Sequence, residues 1–457
     1  MATCYIHITS PSQSTTSVHI RNTCSEDAGL LASLAYGSAI HRGSGSKPPV
    51  GDVLTALQHP GRVHELTLDL TSTMVEGLAT QMQEPLPALE CLSLKSQDKA
   101  GSVVLPTVFL GGSAPRLRDI HLCGIAFSTL PKLLLSARDL VSLRLEKIPR
   151  TGYFPPEVLA CSLSEMTELT SLHIQFLAPT SRPSQKSRRP PPLTLIVLHS
   201  LTEFKFRGIS EYLEDILARI NAPLLRNLEV TFFNQLIFEI PHLSQFIGRT
   251  ETSQSLNQAM VYSSRSGISL ILTKVRQPAG NNPVNRRFAL QISCGQLDWQ
   301  VSSVSQICTY FSPLLSRVER LYIRASPRST GWPDDIEPSQ WLELLDSYGS
   351  VKRLHVIGPL GPNVAPALQQ VTRRMMDPPE VLPALRRLHL GGNSKSAPVD
   401  AFIARRQLCG HNITRWTPSS DAVNLWRLWM PQINWSFNAL ERLHLIGDAE
   451  AMDLTRT

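Results

Sequence analysis

A short phrase recurs along this 457-residue chain: an apolar residue, two variable ones, then apolar, variable, apolar. Pro87–Leu94 reads PALECLSL, Pro115–Leu122 PRLRDIHL and Pro383–Leu390 PALRRLHL. Further copies lie at Leu140–Leu145, Leu169–Ile174, Leu201–Phe206, Leu225–Val230 and Leu440–Leu445, with partial ones at Val63–Leu68, Val318–Ile323 and Val351–Val356. The middle apolar residues Leu66, Leu92, Ile120, Leu143, Leu172, Phe204 and Leu228 follow one another at steps of 23 to 32 residues. Alternating apolar residues send their side chains to one face of a strand and the residue between them to the other, so each copy predicts one strand.

Between the strands the apolar spacing turns helical. Leu213, Ile216, Leu217 and Ile220 follow a cap at Ser210 and a first-turn acid at Glu211. Trp341, Leu344, Leu345 and Tyr348 repeat the spacing with Gly349 as a stop, and Pro156 opens a helix carrying Leu159, Leu163 and Met166. One strand and one helix cannot bury a core alone, so neighbouring units must stack into a parallel sheet backed by helices. The period is close to the roughly 20 to 29 residues of leucine-rich repeats. The expected fold is therefore α/β: a leucine-rich-repeat-like curved solenoid with its parallel sheet on the concave face.

Residues 1–60 read as an irregular segment or cap, 61–400 as the solenoid with a Pro/Arg-rich loop at 181–192, and 401–457 as a divergent Trp-rich segment ending in a last repeat-like strand. Between Leu228 and Leu321 the phrase lapses. Strands at Ile268–Leu272 and Phe288–Ile292 and a helix carrying Val301, Val304, Cys308 and Phe311 predict that the repeat continues there with longer insertions.

The sequence argues against several classes of function. No apolar run reaches the roughly 18 residues that would span a bilayer, and the first thirty residues lack the pattern of a secretory signal, so the expected location is intracellular, cytoplasmic or nuclear. The eight cysteines show no metal-finger or redox spacing. A net charge of +7 is spread over the whole chain rather than gathered into a basic helix, which gives nucleic-acid binding little support. His64-Glu65 lacks the second histidine of a zinc-protease motif, and the Lys of Gly43–Lys47 is followed by Pro48 rather than Ser or Thr. Cys409 and His411 are two ligands without a second pair. The expectation is a protein that is not an enzyme and holds no cofactor or metal.

Three blocks carry a family resemblance: Ser210–Thr250 (SEYLEDILARINAPLLRNLEVTFFNQLIFEIPHLSQFIGRT), Pro131–Leu172 and Leu290–Pro313. Over residues 50 to 395 or so the chain resembles a large family of basidiomycete-fungal F-box-like proteins with leucine-rich-repeat-like C-terminal regions. The resemblance implies a substrate receptor, its F-box docking on the adaptor of a cullin-based ubiquitin ligase while the repeats hold a protein target. Residues 1–60 show no helical hairpin with a Leu-Pro-x-Glu-like start, and the stretch Trp416–Trp435 matches nothing in the family. The chain as given is thus expected not to bind the adaptor, which would need an F-box upstream. The alternative is a free-standing scaffold or decoy with no ubiquitin-ligase link.

The candidate partner-binding residues lie between the paired apolar positions of each strand: Thr67, Ser93, His121, Arg144, His173, Lys205, Glu229, Tyr322, His355, His389 and His444. Their neighbours point into the core, so these side chains are expected to form an exposed stripe on the concave face. Arg182, Lys186, Arg188 and Arg189 read as a solvated loop cluster.

Overall fold

The computed structural model describes residues 2–9, 17–24, 57 and 60–415, with gaps at 99–102, 128–129, 179–194, 236, 275–286, 295–296, 327–336, 358–359, 374–380 and 392–395. The Pro/Arg-rich loop at 181–192, Gly43–Lys47, Trp416–Trp435 and His444 lie outside the described residues. The chain divides into two compact units: residues 1–228 with 241–251, and residues 229–240 with 252–457.

The first unit's sheet contains β1 (Ala2–Thr9), β2 (Ser17–Cys24), β3 (Val63–Leu70), β4 (Cys91–Ser96), β5 (Asp119–Cys123), β6 (Ser142–Ile148), β7 (Ser171–Phe176) and β8 (Glu203–Gly208) in that spatial order. From β3 to β8 every pairing is parallel. β1, β2 and β3 pair antiparallel, so part of the N-terminal segment expected to be irregular is a hairpin added to the edge of the repeats.

Backbone bonding explains the phrase. Its first apolar residue closes a turn, as the Leu89, Leu117, Leu140, Leu169, Leu201 and Leu225 amides each donate to the carbonyl three residues back. The residue after it reaches the preceding repeat. Glu90 N donates to His64 O at 2.8 Å, Arg118 to Glu90 at 2.8 Å, Val141 to Arg118 at 2.7 Å, and Thr170 to Val141, Thr202 to Thr170 and Arg226 to Thr202 at 2.9 Å. From β4 to β8 only the last two apolar residues lie in the strand, while in β3 Val63 lies in it as well. Leu66, Leu92, Ile120, Leu143, Leu172 and Phe204 are all buried there, each contributing about 1.5–3 kcal/mol.

Helices cover the leucine face. They are α1 (Ser72–Gln81), α2 (Leu130–Ser136), α3 (Pro156–Leu163), α4 (Ser210–Leu217) and α5 (Pro241–Gly248). Consecutive members from α2 to α5 pack together, and α4 buries Tyr212, Leu213, Ile216 and Leu217. Tyr212 sits among Tyr153, Phe154, Phe176 and Phe206, its hydroxyl donating to Phe154 O at 3.1 Å. The N-cap of α4 is Ile209 rather than the expected Ser210, which is the first helical residue. Glu214 of α4 caps the next helix, accepting the His242 and Leu243 amides of α5 at 2.7 and 2.8 Å. Burial outweighs those bonds and pushes the Glu214 carboxyl up to about 7.

The second unit begins within β9 (Asn227–Phe232) and adds β10 (Gln258–Ser264), β11 (Gly267–Thr273), β12 (Arg287–Ser293), β13 (Arg320–Ala325), β14 (Arg353–Ile357), β15 (Arg387–Leu390) and β16 (Thr414–Arg415). The spatial order from β9 is β9-β12-β11-β10-β13-β14-β15-β16. Pairing is parallel from β10 through β13 to β16, but β10, β11 and β12 form an antiparallel meander. This corrects the expectation that the repeat merely lengthens there. The partners Ser264 and Gly267 leave only Arg265 and Ser266 to connect β10 and β11, and two residues close a hairpin but cannot make a parallel crossover. A Cβ at Gly267 would run into the Ile292 carbonyl.

α6 (Leu297–Tyr310), α7 (Pro338–Asp346), α8 (Gly361–Arg373) and α9 (Ser396–Leu408) are the main helices of this unit. α6 is anchored to the meander by the buried Gln300, which donates to Ser264 O and Cys294 O and accepts from Ser263 Oγ. α7 buries Trp341, Leu344 and Leu345 as expected, but it ends at Asp346, before Gly349.

Candidate partner-binding faces

In the first unit the strand register brings six candidates into one row. Thr67 pairs with Ser93, Ser93 with His121, His121 with Arg144, Arg144 with His173, and His173 with Lys205. They alternate with the buried leucines and so lie on the opposite face of the sheet.

Glutamates and the basic members of the row form a polar lattice around Arg144. His121 Nε2 lies 3.6 Å from Glu146 Oε2, and His173 Nε2 lies 3.6 Å from Glu203 Oε1. Lys205 Nζ meets the same Glu203 oxygen at 2.9 Å. The neighbouring His173 and Lys205 hold the Glu203 carboxyl down to about 2, and His121 lowers Glu146. Arg144 stands between the two histidines, exposed, with no ion pair or hydrogen bond of its side chain among the described residues. Beyond it the backbone of β6 bulges: the register shifts between Leu145 and Ile148, and Lys147 takes a left-handed φ of 50°.

Two expected exposures need correction here. His173 is 5% exposed and Ser93 9%, because neighbouring strands crowd their side chains across the row. Glu203 and Ser171 both approach His173, the latter at 3.3 Å.

The second unit separates the remaining candidates. Glu229 lies in β9 and faces Arg287 at 3.8 Å. Tyr322, His355 and His389 are in register on β13, β14 and β15, with ring centroids 4.6 and 5.9 Å apart. On the meander the row continues from Tyr322 as Met260, Ile271 and Ala289, a buried apolar cluster that also includes Tyr262. His355 is only 3% exposed, again contrary to expectation. Burial, then His389, Arg353 and Arg320, push its imidazole down to about 4.

One further row was missed. Two residues before Tyr322, His355 and His389, the side chains of Arg320, Arg353 and Arg387 lie in register on the same face. The signal was the constant offset in Arg320–Ile323 (RLYI), Arg353–Val356 (RLHV) and Arg387–Leu390 (RLHL).

The two motif residues read as strand behave so. His64 is the second residue of β3, with Nδ1 3.3 Å from Glu90 Oε1, and Glu65 pairs across to Cys91 in the sheet. Cys409 follows α9 and is exposed. No helix among the described residues is long and apolar enough to cross a membrane.

These features define an α/β, leucine-rich-repeat-like array: in-register strands, one per repeat, with helices packed on the leucine face. No family model and no curated protein matches the chain. Among solved structures it is similar to a leucine-rich repeat-containing protein from Legionella pneumophila, at 14% identity and a TM-score of 0.27, over 74% of this chain and 95% of that one.

Proposed function

We propose that the chain is a non-catalytic protein-binding module whose first unit receives a protein target on the polar face of its repeats. The observation that carries this reading is Arg144. Its exposed guanidinium stands unpaired among the described residues, while its neighbours on the row are tied to glutamates. A planar fork of donors held at the middle of a rigid sheet suits a carboxylate or carbonyl of a partner.

The finer reading is target recognition in ubiquitin ligation. It is supported by the resemblance of the three blocks to F-box-like proteins, and by that alone. A free-standing scaffold or decoy is its alternative, and binding of the purified chain to the ligase adaptor separates them. Submicromolar affinity favours the receptor; absence of binding favours the scaffold.

The module itself is tested by affinity capture from the native organism with the wild-type chain and an Arg144→Glu, Lys205→Ala variant. A specific protein retained by the wild type and lost by the folded variant is the expected result. Equal capture by both would remove this face from the interface.

A further inference from the structure

The three arginines of the second unit pose an electrostatic problem. Arg320, Arg353 and Arg387 occupy one row on adjacent parallel strands, about 4.8 Å apart from strand to strand. Like charges placed directly opposite one another across strands destabilise a sheet. Glu319 makes its ion pair with Lys352 at 2.6 Å and lends Arg320 and Arg353 only a longer-range attraction, Arg320 shares a hydrogen bond with the Tyr322 hydroxyl, and none of the three arginines forms an ion pair with a carboxylate among the described residues. Burial and the Arg320 and Arg387 charges together hold the Arg353 guanidinium below the ordinary arginine range. On the next row the Tyr322, His355 and His389 rings line up beside the arginines and bring no negative charge. The row is partly buried at Arg320 and Arg353 and open at Arg387.

We propose that Arg320, Arg353 and Arg387 bind the carboxylates on one face of an acidic α-helix of a partner protein. The inference rests on reading the chain as a protein-binding module, and it names the partner's chemistry at a second site. Spacing selects the helix. Carboxylates three and four residues apart on a helix sit about 5–6 Å from one another, close to the strand spacing. Same-face residues of an extended peptide recur only every ~6.6–6.8 Å and would fall out of step by the third arginine. An acidic helix laid across the strands offers each guanidinium a charge-assisted partner and removes the repulsion along the row.

The test uses the full chain and labelled, alanine-based peptides of ~20 residues, long enough to be helical. One peptide carries glutamates three and four residues apart on a single face, and a second has the same composition scrambled around the helix. Anisotropy titration should show the one-faced peptide binding more tightly than the scrambled one. The Arg353→Ala, Arg387→Ala variant should lose about tenfold in affinity, as expected from removing partly exposed ion pairs. Arg387→Glu, at the exposed end of the row, should weaken binding with the melting curve unchanged. Arg144→Ala should leave it unaltered.

Three outcomes overturn the proposal: no binding of the one-faced peptide, equal binding of both peptides, or affinity that survives both arginine variants. An oligothymidylate strand that binds through these arginines more tightly than the peptide would also overturn it, in favour of a nucleic-acid phosphate. Loss of binding in Arg144→Ala alone would move acid recognition to the first unit. That result would end this proposal and leave the proposed function standing, whereas failed partner capture in the first unit would leave the arginine row untouched.

Discussion

The same position of the repeat does opposite work in the two units. In the first, the residue between the paired apolar positions is polar, and Glu146 and Glu203 lie beside His121, His173 and Lys205 around the open Arg144. In the second, that position passes through Ala289, Ile271 and Met260 before reaching Tyr322 and His355, and the unmatched charge lies one row away on three arginines. The difference is one of burial. The parallel repeats alternate buried with half-exposed positions, whereas nearly every residue of the meander strands is buried, and their second face sets Met260, Tyr262, Ile271 and Ala289 beside buried Ser264, Ser269 and Gln291.

The largest expected effect breaks this equivalence directly. Ile271→Ala, at a row position 2% exposed, should destabilise the protein by about 2–5 kcal/mol through the cavity it leaves. Leu143→Ala and Leu228→Ala, on the leucine face in β6 and β9, should cost about the same. Chemical denaturation measures all three. If Ile271→Ala melted like wild type, the meander's second face would be open and the contrast between the units would fall.

The repeat was legible because its leucines obey two local rules at once, a turn closed by the first and strand alternation in the next two. β3 to β8 and β13 to β15 follow from that pattern. The meander was not legible as such, since continuous apolar runs such as Leu270–Leu272 and Phe288–Leu290 carry no alternation to show which residues share a face. The burial of His173 and His355 was hidden for another reason. It depends on side chains supplied by neighbouring strands, Glu203 in one case and Tyr322 with His389 in the other, some 30 residues away in the chain.

A smaller effect concerns pH. The unfolded chain takes up a proton at His355 near pH 6.5, but the folded protein resists it until about 4. Between those values the unfolded state binds more protons, so stability falls as pH drops from 6.5 toward 4 and is insensitive to His355 above that window. The penalty should be on the order of 1–3 kcal/mol. Melting curves from pH 7 to 4.5 should therefore be flatter for His355→Leu than for wild type. Parallel curves would mean that the imidazole gains its proton without resistance, and that the neighbouring Arg320, Arg353 and His389 do not act on it.

The smallest expected effect on stability is at Arg144, and its smallness is informative. Its guanidinium is exposed and makes no ion pair among the described residues, so Arg144→Ala should shift unfolding free energy by no more than about 0.5 kcal/mol. Lys205→Ala, by contrast, removes a 2.9 Å contact to Glu203 and should be mildly destabilising. Measured together by denaturation, the two variants separate a cation that serves the fold from one that does not. A loss above ~1 kcal/mol for Arg144→Ala would be too large for an exposed, unpaired side chain and would mean that it is part of the lattice. The row would then hold no cation left over for a partner.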